Sequence, residues 1–285
     1  GGLFVPVELP HFSMDTVREM MEMSYIDRAK TVLRTFLTDF SDEELNYCVE
    51  GAYRADKFSS PAVAPTVNIG GKENILELWH GPTSAFKDMA LQILPHLLSA
   101  SLVKNNEKKT VCILVATSGD TGKAALEGFK DVKGTKILVF YPKDGVSKVQ
   151  ALQMQTQEGG NVGVCAVHGN FDDAQTGVKD IFAAVEKAQL LADKGVRLSS
   201  ANSINIGRLA PQVVYYFRAY GDLVKAGRIA LGDKVNFVVP TGNFGDILAG
   251  YFARELGLPV GRLVCASNAN NVLTDFLRTG RYDRN

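Results

Sequence analysis

The chain has 285 residues, 46% of them apolar, enough to bury a substantial core in one large domain or two smaller ones. Its 31 basic and 31 acidic residues cancel, which argues against a nucleic-acid footprint or an anionic membrane partner. The longest apolar runs, such as Val111 to Ala116, are strand-sized and too short to cross a bilayer.

The N-terminal Gly1-Gly2-Leu3-Phe4-Val5-Pro6 lacks the basic start and apolar core of a secretory signal. Residues before Glu73 read mainly as helix, including Asp15 to Met23 and Asp27 to Phe36. From Glu73 onward, short apolar runs alternate with longer stretches of helical periodicity. Ile75-Leu76 running on through Glu77 to Trp79 predicts a strand. Lys87 to Ser101 predicts a helix that Pro95 should kink or divide. Thr110 to Thr117 is β-branched in the manner of a strand buried on both faces. A helix follows from about Thr121 to Phe129, then a strand at Lys136 to Tyr141 and a helix capped by Ser147 that runs to Gln157. Val162 to Val167 is a strand and Phe171 to Lys187 an amphipathic helix. Ile206 to Ala226 is a long helix with Pro211 near its start. The pattern then gives a strand at Val235 to Pro240, a helix at Asp246 to Leu256, a strand at Arg262 to Ser267 and a helix at Val272 to Gly280. Such alternation predicts an α/β fold, with parallel sheets flanked by helices on both faces. Nothing after the last helix covers the final strand before Asn285, so further chain is expected on the C-terminal side.

The four cysteines (Cys48, Cys112, Cys165, Cys265) are scattered without a Cys-x-x-Cys pair, and the four histidines lack ligand spacing. Reduced thiols in the cytoplasm and no metal site are the expectation.

Three turns and one lysine carry chemistry. In His80-Gly81-Pro82-Thr83-Ser84-Ala85-Phe86-Lys87-Asp88, a lysine stands at the mouth of an apolar helix. Desolvation there would lower its pKa and free the amine to attack a carbonyl; a lysine pointing into solvent is the plainer alternative. Ser118-Gly119-Asp120-Thr121-Gly122 joins a buried strand to a helix, where free N–H groups and two hydroxyls can meet an anion. Capping chemistry alone would explain the same residues. It is not a Walker loop, because Thr117 and Ala124 stand where Gly and Ser/Thr are needed. In Thr241-Gly242-Asn243-Phe244-Gly245-Asp246, left-handed angles at Gly242, Asn243 and Gly245 could gather N–H groups into an anion nest, unless Asp246 merely caps a helix. Ser199 to Asn205 concentrates hydroxyls and amides ahead of Arg208, which would either hold an anion or face solvent unpaired.

His-Gly-Pro-Thr-x-Ala-Phe-Lys-Asp, Thr-Ser-Gly-Asp-Thr-Gly, Ser-Ala-Asn-Ser-Ile-Asn and Gly-Asn-Phe-Gly-Asp, in this order, resemble threonine synthases of the bacterial and fungal type. These are pyridoxal phosphate enzymes of the tryptophan-synthase-like fold, and the likeness runs from Leu3-Phe4-Val5-Pro6 to Phe276-Leu277. The resemblance implies conversion of O-phospho-L-homoserine and water to L-threonine and phosphate. It makes Lys87 the Schiff-base lysine and general acid and base. Gly242, Asn243, Phe244, Gly245 and Asp246 match the cofactor-phosphate loop, with Asp120 near the cofactor ring. Ser118, Gly119 and Thr121 fall near the substrate carboxylate, and Asn202, Ser203, Asn205 and Arg208 are candidates for its phosphate. His80 fits either the site or a structural role. Asp120 is awkward, since an ionised carboxylate cannot donate to a phenolate; it must be protonated, rotated away or bound to its own loop. Threonine synthases continue well beyond Asn285 and there supply a hydroxyl facing the pyridine nitrogen. The implied layout is an N-terminal helical segment and first part of a large domain over 1–100, a small α/β domain over 101–199, and the rest of the large domain from 200. Monomer and dimer both remain open. A β-eliminating dehydratase of the same fold and a non-catalytic relative binding a phosphorylated metabolite are the rival readings.

Overall fold

The computed structural model describes residues 5–188, 191 and 194–282, so Leu3, Phe4 and Asn285 lie outside the described residues. Helices α1 (Met14–Glu22), α2 (Tyr25–Arg34) and α3 (Asp42–Ala52) each begin at a serine. Ser13, Ser24 and Ser41 accept the third helical N–H through their side chains, and Glu44 returns to Ser41 to complete a capping box. α1 and α2 lay their apolar faces on α9 (Ile206–Lys225), a long helix that contains Pro211 and is buried along most of its length.

The N-terminal third is not all helix. Thr66–Gly70 (β1) and Glu73–Leu76 (β2) form an antiparallel hairpin that pairs Thr66 with Leu76 and turns through Gly70 and Gly71, both at positive φ. The strand predicted through Glu77 to Trp79 therefore stops at Leu76, where the ladder ends opposite Thr66, with one further bond from the Glu77 N–H to the Pro65 carbonyl. The predicted 87–101 helix is divided, as Pro95 requires. Asp88–Leu91 (α4) is followed by Leu94–Lys104 (α5), with Pro95 in the first turn of α5, where its missing N–H costs no helical bond.

Four parallel strands form one sheet in the order β5-β4-β3-β6: β3 (Thr110–Ala116), β4 (Thr135–Pro142), β5 (Val162–Val167) and β6 (Val196–Ser200). Three helices connect them: α6 (Asp120–Phe129), α7 (Lys148–Gln155) and α8 (Phe171–Ala188). β6 is absent from the sequence reading; it is short and half-buried, and it pairs along Thr110 to Leu114 of β3. A second parallel pair, β7 (Val235–Pro240) and β8 (Val260–Ala266), carries α10 (Gly245–Glu255) and is followed by α11 (Val272–Thr279). All four cysteines are free. No helix among the described residues is long and apolar enough to cross a membrane.

Buried side chains fall into two clusters. One joins α1, α2, α3, α9, α10 and β7, and the other joins β3, β4 and α6. The α4–α5 segment serves both, since Met89, Ile93 and Leu97 belong to the first while Leu91 and Leu94 belong to the second. α6 approaches this segment so closely that a Cβ on Gly128 would stand 2.1 Å from the Leu91 carbonyl oxygen. Lys87, at the N-cap of α4, thus lies on the seam between the two cores.

Candidate active site

The loop that delivers Lys87 is folded around Asp88. That carboxylate is fully buried and accepts the Thr83 N–H and the Thr83 hydroxyl, each at 2.8 Å. Gly81 lies against it so tightly that a Cβ would come within 2.5 Å of Asp88 Cβ, and Ser84 takes a left-handed φ of 55°. Burial pushes the Asp88 carboxyl up to about 6, against the pull of the Thr83 donors. No role was read for Asp88 from sequence, although an acidic residue opening an otherwise apolar helix is a signal. Lys87 Nζ lies 4.5 Å from the Phe86 ring centroid and 3.7 Å from the Asp120 carboxylate, on a side chain that is 18% exposed. Burial lowers its pKa, Asp120 and Asp246 oppose the shift, and Arg208 adds to it. The solvent-directed alternative for Lys87 is thereby removed. His80 has a structural post, with Nδ1 2.8 Å from the Ser59 hydroxyl and Nε2 2.8 Å from the Glu77 carboxylate.

Thr117 organises the second turn from inside. Its buried Oγ1 accepts the N–H groups of Gly119 and Gly122, each at 3.0 Å. Gly119, at φ 153°, spends its N–H within the turn, so contrary to the expectation that placed it at the substrate carboxylate it has no N–H to offer there. The N–H groups of Ser118, Asp120 and Thr121 have no acceptor among the described residues and remain available. Asp120 neither binds its own loop nor turns from the site: one oxygen faces Lys87 and the other accepts from Gln150 Nε2 at 2.7 Å.

In the third turn, the left-handed residues are Gly242 (φ 44°) and Phe244 (φ 64°), not Asn243 or Gly245. Thr241 donates to the Ala266 carbonyl and Phe244 to that of Thr241, both at 2.9 Å. The N–H groups of Gly242, Asn243, Gly245 and Asp246 have no acceptor among the described residues, so a nest exists at the start of α10 beside a recess of about 680 Å³. The N-cap position belongs to Phe244, so Asp246 is no N-cap. Its carboxylate turns inward to accept from the hydroxyls of Tyr215 and Tyr216 on α9. Burial raises the Asp246 pKa against those two donors. What Asp246 offers a ligand is its main-chain N–H; its side chain braces the nest from behind.

The fourth stretch adjoins the third, with the Ser203 carbonyl 3.9 Å from where a Cβ on Gly245 would stand. Asn205 is the N-cap of α9, its side-chain oxygen taken by the Gly207 N–H at 2.8 Å, so only its amide NH₂ is left for a ligand. Asn202 is exposed and Ser203 half-buried. Arg208 is 4% exposed, which removes its solvated alternative. Nη1 donates to the Ala201 carbonyl at 2.9 Å, Nε has no partner, and no carboxylate pairs with it among the described residues. Burial lowers the guanidinium pKa to about 10. A buried cation without a counter-ion is costly, and an arriving anion would relieve it.

Comparison with known proteins agrees with this constellation. The family model described as "Pyridoxal-phosphate dependent enzyme" matches residues 68–285, and "Threonine synthase N terminus" matches residues 1–53. A threonine synthase of Pseudomonas aeruginosa is 44% identical over 285 residues, covering 100% of this chain and 58% of that protein. A human protein named "Threonine synthase-like 1" is 41% identical over 292 residues, covering 99% of this chain and 39% of that protein. A crystal structure of threonine synthase from Brucella melitensis with bound pyridoxal phosphate superposes with a TM-score of 0.88 at 39% identity, covering 99% of this chain and 58% of that one. The chain thus spans well under two thirds of the length of these relatives. With the half-dry lysine, the free-amide nest and the two-core α/β frame, these matches show that the chain belongs to the pyridoxal-phosphate dependent enzyme family, in its threonine synthase branch.

Proposed function

We propose that the whole protein is a threonine synthase, converting O-phospho-L-homoserine and water to L-threonine and phosphate with pyridoxal phosphate. The observation that carries this reading is a partly desolvated Lys87 under the charges of both Arg208, buried without a counter-ion, and Asp246, which braces the nest. The fit to the cofactor rests on this chain's own groups, a poised amine for its aldehyde and unpaired N–H groups at the start of α10 for its phosphate. When bound, pyridoxal phosphate supplies the electron sink that stabilises a carbanion at the substrate Cα. The nest of Gly242, Asn243, Gly245 and Asp246 would anchor the cofactor. Lys87, once released, would move the Cα proton as base and then as acid. Arg208, with Asn202, Ser203 and the Asn205 amide, would hold the substrate phosphate until it leaves Cγ. The N–H groups of Ser118 and Thr121 would receive the substrate carboxylate, before water adds at Cβ. An Arg208 with no carboxylate partner among the described residues favours a phosphorylated substrate over that of a dehydratase, which needs no second anion grip.

The two buried clusters support a division into a small domain over 101–199 and a large one built from 1–100 and 200 onward. Free cysteines suit a reducing cytoplasm. Full-length protein mixed with pyridoxal phosphate should gain a visible-violet absorbance band that Lys87→Ala abolishes. Phosphate release from O-phospho-L-homoserine should greatly exceed ammonia release from serine. A band that survives the substitution refutes the lysine assignment; the reverse ranking of substrates favours the dehydratase. Cofactor binding without turnover of either substrate identifies a binding relative.

A further inference from the structure

Gln150 has no place in the site as described, yet its side chain performs two separate tasks. Its Oε1 accepts the Ser147 N–H at 3.2 Å, closing the capping box of α7, while Ser147 Oγ accepts the Gln150 N–H. Its Nε2 donates to Asp120 at 2.7 Å. The approach depends on a missing side chain, since a Cβ on Gly119 would stand 2.5 Å from Gln150 Nε2. Asp120 is 47% exposed, so without that bond its carboxylate would be free to swing into water. It is instead held with its other oxygen 3.7 Å from Lys87 Nζ.

We infer that Gln150 is a positioning residue that, from the cap of α7, fixes the carboxylate of Asp120 against Lys87 and so sets the charge state of the reactive amine. The inference rests on the reading of Lys87 as that amine. Around Lys87 the charged groups are Asp120 from α6, Arg208 from α9 and Asp246 from α10; Asp120 and Asp246 favour the ammonium, Arg208 disfavours it. Of the three, Asp120 is the most exposed, and the one side-chain hydrogen bond that holds it among the described residues comes from Gln150. Gln150 thereby links the second core's helices α6 and α7 to the seam where Lys87 stands.

The test uses the full-length protein freed of cofactor, with competitive acetylation of Lys87 by acetic anhydride followed from pH 7 to 11 by peptide mass spectrometry. Gln150→Met keeps the length and loses the donor. Its expected effect is a fall in the apparent pKa of Lys87 by about half to one unit, which is about a three- to tenfold faster labelling at pH 7. Asp120→Ala should give at least the same shift, and adding Gln150→Met to it should change nothing further. Ser147→Ala removes the cap while sparing the Asp120 bond, so it should lower the melting temperature and leave the labelling profile in place. An unshifted profile in Gln150→Met overturns the inference. So does an equal shift in Ser147→Ala, which would mean that fraying of α7 is the cause. Wild-type protein that forms no band with pyridoxal phosphate would refute the functional reading instead, whatever Gln150 does.

Discussion

Asp88→Asn tests the buried carboxylate that folds the lysine loop. In the folded chain burial holds this group at about 6, whereas an unperturbed aspartate titrates near 3.8. The folded state therefore binds more protons than the unfolded one between those values, and stability must fall as pH rises through that window. The gap between the two values corresponds to roughly 3 kcal/mol, fully felt above pH 6 and absent below about pH 4. Asparagine does not titrate. Its amide will meet the Thr83 N–H less well than a carboxylate does, but that penalty is independent of pH. Urea denaturation of both proteins from pH 4 to 7.5 should thus give a difference curve in which the variant gains about 3 kcal/mol on the wild type as pH rises. Groups common to both proteins cancel in the difference. A flat difference curve would refute the claim that Asp88 is held in an environment hostile to its charge.

Two further substitutions test other parts of the frame. Arg208→Ala should raise KM for the phosphorylated substrate by about tenfold to a hundredfold, the worth of a lost charged contact, while unfolding stability changes by less than about 1 kcal/mol because a buried unpaired cation is also removed. An unchanged KM would return Arg208 to a purely structural post. Gly128→Ala drives a methyl into the Leu91 carbonyl. It should lower stability by about 1–3 kcal/mol, read as a lower melting temperature, and a melting curve equal to that of the wild type would show that α6 can shift away from α4.

Most of the parallel frame was legible because its strands are short, apolar and β-branched, its helices are periodic, and α7 starts at a serine cap. Val162 to Val167 and the Ser147 cap are cases in point. β6 escaped because Val196–Ser200 is five residues long with only two apolar ones, too brief a pattern to stand out before its pairing with β3 is seen. Of the first hairpin only Ile75-Leu76 reads as strand; β1 and the Gly70-Gly71 turn escaped because they lie in a stretch that reads as mainly helical. In the site, the residues with an obvious chemical vocabulary could be named: Lys87, the Asn243 turn and Arg208. What could not be read was which way each side chain turns. Asp246 faces two tyrosines that lie about thirty positions earlier in the chain, and Asn205 closes a helix. Thr117 spends the Gly119 amide from inside its own turn. Gln150 meets Asp120 across thirty residues, with no local pattern to announce it.

Because alternate side chains of the α4–α5 segment face different cores, the segment is a party wall. A cavity cut on either side of it will tilt the same short helix. Damage to Tyr53, which donates to the Met89 carbonyl on one flank, or to α6 at Gly128 on the other, should therefore be registered at a single nitrogen, that of Lys87, before either half has unfolded.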